Sequence, residues 1–222
     1  PGLVVHPDEN ERVNTLLTHI QAYLYQKKEW SPYWENSFAP ALCNRIDRNT
    51  GGIVIAAKTA EGLRVMNQKI RDRELKKYYL CIVHGTLPRP AGRLEGYILK
   101  DEAKKQVTVS SRPRPGAKTA VTLYETLAVR NGLSLVRCQL ITGRTHQIRA
   151  QFAAAGHPLL GDGKYGSERQ NKRYGRSYQA LYSYRLEFCF TTDAGALAPL
   201  DGQQFQVEQV DFVTEYFPGF SL

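Results

Sequence analysis

At 222 residues, 42% of them hydrophobic and 23% charged, the chain is long enough to bury a core without disulfides or a structural metal. No stretch approaches the run of about 18 apolar residues that a membrane-spanning helix needs, and no secretory signal is legible, so the expectation is a cytoplasmic protein with no membrane partner. The formal charge of +9 favours a polyanionic partner, because each neutralised phosphate releases counterions.

In chain order, Pro1-Gly2-Leu3-Val4-Val5-His6-Pro7 reads as the interior of a domain, so one domain over residues 1–222 is expected, truncated at its N-terminus. Asp8 or Asn10 can cap a helix carrying Val13, Leu16, Leu17, Ile20 and Leu24 at helical spacing. An aromatic, proline-bearing connection follows at residues 30–34, then a short apolar strand at 53–57. Thr59 caps a second helix with Leu63, Met66 and Ile70 on one face, and residues 78–83 read as a strand. Residues 86–118 are rich in Pro, Gly and basic side chains, which predicts loop, with one strand at 105–109. Two long strands, 120–129 and 133–141, flank the hairpin dipeptide Asn131-Gly132. A third helix covers 145–155, stopped by Gly156, with Pro158 beyond. Residues 163–178 read as loop, and 178–190 and 205–212 as closing strands. Strands that meet through hairpins, with helices between groups, predict an α+β fold.

Cys43, Cys81, Cys138 and Cys189 are far apart and form no C-x-x-C pair. Zinc spacing and a secreted disulfide framework are both absent, and buried free thiols in a reducing cytoplasm are the expectation. Three other stretches concentrate polar chemistry beside apolar strands. Asn44-Arg45-Ile46-Asp47-Arg48-Asn49-Thr50-Gly51-Gly52 sets a carboxylate between two arginines ahead of a glycine pair. In residues 77–85, period-two alternation puts Lys77, Tyr79, Cys81 and Val83 on one face. Gly143-Arg144-Thr145-His146-Gln147-Ile148-Arg149 leads from a strand into a helix whose start suits a phosphate. Arg149 lies near the face that Ile148 and Phe152 bury; it needs an anion there, and Asp47 is a candidate.

Together these stretches resemble the RluA-type family of pseudouridine synthases. The family's H-R-L-D-x-x-T-S-G-like motif is met by residues 44–52, with Asn44 in place of His and Gly51 in place of Ser. Its K-x-Y-x-A-x-V-x-G is met by Lys77, Tyr79, Cys81, Val83 and Gly85. Its G-R-T-H-Q-I-R, followed by G-x-P-x-x-G-D-x-x-Y-G, is met by residues 143–149 and then Gly156, Pro158, Gly161, Asp162, Tyr165 and Gly166. Ala150-Gln151 replaces the usual Val-His. The likeness runs from residue 1 to about 190.

The resemblance implies a bent, mostly antiparallel mixed sheet flanked by helices and loops. It implies an isomerase that needs no cofactor and no metal, and that converts uridine in structured RNA to pseudouridine. Asp47 would be the catalytic carboxylate, with Tyr79 against the target base and Arg149 as the third site residue. Arg45 would fill the space of a flipped uridine. Arg144 and His146 would hold phosphates or flanking nucleotides, and the basic loop Lys164, Arg169, Lys172, Arg173 and Arg176 would extend that grip. The expected partner is RNA, ribosomal ahead of transfer RNA, bound by a monomer. A catalytically silent RNA-binding module would explain the charge equally, but would not need Asp47, Tyr79 and Arg149 together.

Overall fold

The first helix, α1 (Leu16–Gln26), starts at Thr15 rather than at Asp8 or Asn10. Thr15 and Thr18 cap each other's backbone amides reciprocally, whereas the Asp8 carboxylate accepts from the amides of Asn10 and Glu11 in a local turn. Val13 therefore lies outside the helix, 81% exposed, and Leu24 is the stripe residue that is buried. The computed structural model describes residues 1–222 in two units: residues 1–75 with 187–205, and residues 76–186 with 206–222. No helix in either is long and apolar enough to cross a membrane.

In the first unit, β1 (Ala41–Leu42), β2 (Gly51–Gly52) and β3 (Ala56–Ala57) are two-residue strands, and β1 pairs antiparallel with β3. The single strand expected over residues 53–57 does not form. Ile55 gives its amide to the Asn44 side chain and its carbonyl to the Cys43 amide, so its bonds serve the loop. Thr59 caps α2 (Ala60–Arg71) as expected, accepting from the Gly62 amide. That helix buries Val65 and Met66, with Leu63 and Ile70 half-buried.

The unforeseen buried residue of α2 is Lys69, only 1% exposed. Its ammonium lies 2.7 Å from the Glu74 carboxylate and donates to the Thr192 carbonyl and hydroxyl. Thr191 and Thr192 hydroxyls donate to Glu74 in turn. This cluster fixes the returning segment to α2. A short 3-10 helix, Gly195–Leu200, follows in that segment.

In the second unit, alternation makes β4 (Leu75–His84) a strand with both faces buried. Tyr79, Cys81 and Val83 pack with Ile148 and Phe152, while Leu80 and Ile82 pack with Leu133, Leu135 and Phe212. The strands β5 (Ala91–Asp101), β6 (Gln106–Ser110), β7 (Lys118–Arg130) and β8 (Leu133–Leu140) join it. With β9 (Leu181–Phe188), the order is β9-β4-β8-β7-β5-β6. The pairs β4–β8, β7–β8, β5–β7 and β5–β6 are antiparallel. The Asn131-Gly132 turn forms as expected, both residues at positive φ.

Three expectations fail here. β5 occupies part of the stretch read as loop: its glycines and basic residues sit on a strand whose outer positions face solvent, so composition hid an alternating pattern. The stretch 163–178 contains a short helix, α4 (Glu168–Arg173). The closing strand expected at 205–212 is instead β10 (Gln204–Gln206) and then α5 (Asp211–Tyr216). The third helix, α3 (Gln147–Ala154), does end at Gly156: the Gly156 amide bonds the Ala153 carbonyl and the His157 amide that of Phe152.

Candidate functional site

In the first unit the loop bearing Asp47 is held from both sides. Asn44 anchors it through the 2.7 Å bond from the Ile55 amide, and the Thr50 amide donates to the Asp47 carbonyl, closing a turn. Gly2 and Arg48 exchange bonds, tying the loop to the start of the chain. Within this frame the Asp47 side chain is half-buried, whereas Arg45 is exposed. Arg45 lies close enough to His6 to act on it: burial first, and the guanidinium second, hold His6 below the usual histidine range.

In the second unit Tyr79 lies on β4 opposite Cys138 of β8 and is buried. Helix α3 is buried at Gln147, Ile148, Arg149, Ala150, Gln151 and Phe152, far from the exposed basic helix that charge alone suggests. Its glutamines explain this. Gln147 accepts from the Thr142 hydroxyl and the Arg144 amide, and donates to the Val121 carbonyl and the Thr122 hydroxyl. Gln151 accepts from the Thr122 hydroxyl and donates to the carbonyls of Leu94 and Ala120. Every polar atom of these two amides that could be stranded is thus spent on the sheet or on the turn that leads into α3. Gln151, which departs from the family pattern, is part of that fit.

The sequence offered Asp47 as an anion for Arg149; the anion on its guanidinium within this unit is Asp162. Arg149 donates through Nε to one carboxylate oxygen at 2.6 Å and through Nη2 to the other at 2.9 Å. Asp162 is fully buried and also accepts from the amides of Lys164 and Tyr165. Burial alone would raise its carboxyl; the bonds and charge of Arg149, with the two amides, outweigh that and hold it below the usual range. Tyr165 stacks under Arg149 at 5.3 Å, accepts from the Val107 amide, and lies 2.8 Å from Nδ1 of His146. His146 itself starts α3 in a left-handed conformation and donates no cap.

Among the expected RNA contacts, Arg144 is half-buried and gives one N–H to the Thr119 carbonyl. The Lys164 ammonium bonds the Lys105 carbonyl at 2.6 Å. Arg169, Lys172 and Arg173 are exposed on α4, Lys172 facing Glu168 at 2.8 Å. Arg176 is the exception: it is buried, pairs with Asp211 and Glu215 of α5, and stacks on Tyr178 and Phe212. It is a brace, with no face to offer RNA.

Sequence reasoning missed Asn171. Its side-chain oxygen accepts from the Gly161 amide, with the His84 ring nitrogen at 3.2 Å, and its amide donates to the Asp162 carbonyl. An asparagine amid charged residues was the only sequence signal; its burial at the centre of α4 shows only in the fold. Gly161 lets the chain pass against the Tyr178 carbonyl, where any Cβ would collide, and holds φ +79°.

The family model of RNA pseudouridylate synthases matches residues 1–154. An uncharacterized RNA pseudouridine synthase of Mycoplasma genitalium is 35% identical over 196 residues, 84% of this chain and 58% of the relative. Ribosomal large subunit pseudouridine synthase D of Zymomonas mobilis is 31% identical over 215 residues, 96% of this chain and 63% of the relative. The chain thus spans roughly three-fifths of the length of these relatives. The solved structure of human RNA pseudouridylate synthase domain containing 4 has the same fold, with a TM-score of 0.70, 22% identity, and coverage of 95% of this chain and 83% of that one. On its sequence motifs, its fold and these matches, the chain belongs to the RNA pseudouridylate synthase family, in its RluA-type branch.

Proposed function

We propose that this protein isomerises uridine to pseudouridine in structured RNA, ribosomal RNA ahead of transfer RNA, with Asp47 as the required carboxylate. The observation that carries the reading is that a single family match over residues 1–154 takes in Asp47, Tyr79 and Arg149 together. Relatives named for the ribosomal large subunit support that choice of RNA. The reaction breaks the C1′–N1 bond, turns the uracil and joins C5 to C1′. The C5 proton is lost and N1 gains one, so no electrons are exchanged and no co-reactant is consumed.

Asp47 serves as nucleophile or as base, and either role needs it ionised. Tyr79 packs on the uracil, and Arg149 contributes a desolvated positive charge. A stacked uridine becomes open to such chemistry only when flipped out, at a cost of a few kcal/mol. Arg45, exposed beside Asp47 in sequence, fills the vacated stack with its flat guanidinium. Arg144, His146, Lys164, Lys172 and Arg173 hold the backbone. The protein works as a monomer in the cytoplasm; for the compartment, the support is that its four cysteines are free thiols.

The test is single-turnover tritium release from 5-tritiated uridine in RNA. Asp47→Asn keeps shape and hydrogen bonding but loses the charge, so it should bind RNA as the parent does and release no detectable tritium. A rate as high as about a tenth of the parental one would overturn the assignment.

A further inference from the structure

Lys77 opens the K-x-Y motif, and the function above gives it no task. On β4 it lies opposite Leu140 of β8, two residues before Tyr79. Both side chains therefore leave the same face of the strand, roughly 6.6–6.8 Å apart along it. Lys77 is half-buried, and loss of water alone holds its ammonium below the usual lysine range; no anion of the protein acts on it. The buried arginines of the same unit are provided for: Arg149 by Asp162, and Arg176 by Asp211 and Glu215. The Lys77 ammonium has neither an ion pair nor a hydrogen bond.

The second observation is Gly143, the first residue of the G-R-T-H-Q-I-R motif. A Cβ placed there would begin 3.5 Å from the Lys77 ammonium, and Gly143 itself is exposed. The missing side chain keeps an approach to the ammonium open from solvent. Two motifs far apart in sequence thus meet at one cation that the fold has partly stripped of water and left unpaired. Such an arrangement costs stability unless a ligand brings the negative charge.

We propose that Lys77 is an RNA-contacting residue that takes a backbone phosphate next to the target uridine through the opening at Gly143. The inference rests on the synthase reading above and adds a site to it. A phosphate suits the place better than a neutral base edge, because a cation short of water gains most from a full counter-charge.

The probe is an RNA hairpin that the parent protein modifies, made with one neutral methylphosphonate linkage at a time on either side of the uridine. In the parent, one of these linkages should weaken binding by about tenfold. Lys77→Met, which keeps the apolar stem, should weaken binding of the unmodified RNA by a similar factor and lose the penalty for that linkage. Lys77→Arg should retain the penalty, and Gly143→Val, which closes the approach, should abolish it. If Lys77→Met and every neutral linkage give penalties that simply multiply, or if Lys77→Met binds like the parent, Lys77 holds no phosphate. A parent that modifies no RNA would instead sink the synthase reading, so the two failures are distinct.

Discussion

Asp162 serves four donors with two oxygens: two N–H groups of Arg149 and the amides of Lys164 and Tyr165. Removing its charge would break a buried, doubly bonded ion pair with Arg149, a loss of about 3–5 kcal/mol. Asp162→Asn should therefore lower the urea midpoint sharply, whereas Asp47→Asn, in a half-buried loop, should leave it near the parental value. Equal midpoints for the two variants would remove Asp162 from its bracing role. Glu74 makes a separate prediction. Lys69 first, then Thr191, hold its carboxyl down from 4.5 to about 2. A carboxyl lowered in the fold stabilises above its unfolded value and loses that contribution as pH falls, here between 4.5 and about 2. Acid unfolding of Glu74→Gln, followed by circular dichroism, should lose that part of its pH dependence; an unaltered curve would refute the pairing. At this scale motif likeness singled out candidate residues for the chemistry. It did not show which anion meets Arg149 within the second unit, because a carboxylate 13 positions away and one a hundred away are equivalent until the chain is folded.

Among the elements, α4 carries the exposed cations Arg169, Lys172 and Arg173 and is pinned from beneath by Asn171. Asn171→Ala would strand the Gly161 amide and free the helix, at about 1–3 kcal/mol. Hydrogen exchange should rise across 161–173 while the amides of β4 and β8 stay protected; an unchanged pattern would mean that α4 is held by other contacts. Helices and turns with local chemistry were legible in advance: the Thr59 cap, the Asn131-Gly132 hairpin and the stop at Gly156 each depend on neighbours in sequence. What was not legible depends on distant partners. β5 is a strand because β7 and β6 flank it, and α5 is a helix that receives Arg176 from far upstream. The 53–57 run looked like one strand until Asn44 claimed the Ile55 amide.

Over the whole molecule, not all of the 30 basic side chains are available to RNA. Lys69, Arg149 and Arg176 are consumed in buried pairs. Exposed pairs such as Lys172–Glu168 contribute little to folding and leave the cation usable. Affinity for RNA should fall steeply with salt, and Lys172→Glu with Arg173→Glu should flatten the log–log slope by about one to two. Arg176→Glu should lower stability and leave the slope of the folded fraction unchanged. A parental slope near zero would dismiss backbone tracking altogether. The tight passage of Gly161 under the Tyr178 carbonyl bears on how this protein can change over generations. A survey of all single substitutions scored by activity would find Gly161 unforgiving, though the proposed reaction gives it no atom to touch. Intolerance alone would therefore sketch the outline of the scaffold as readily as that of the chemistry, and only a measurement that separates folding from turnover would tell the two apart.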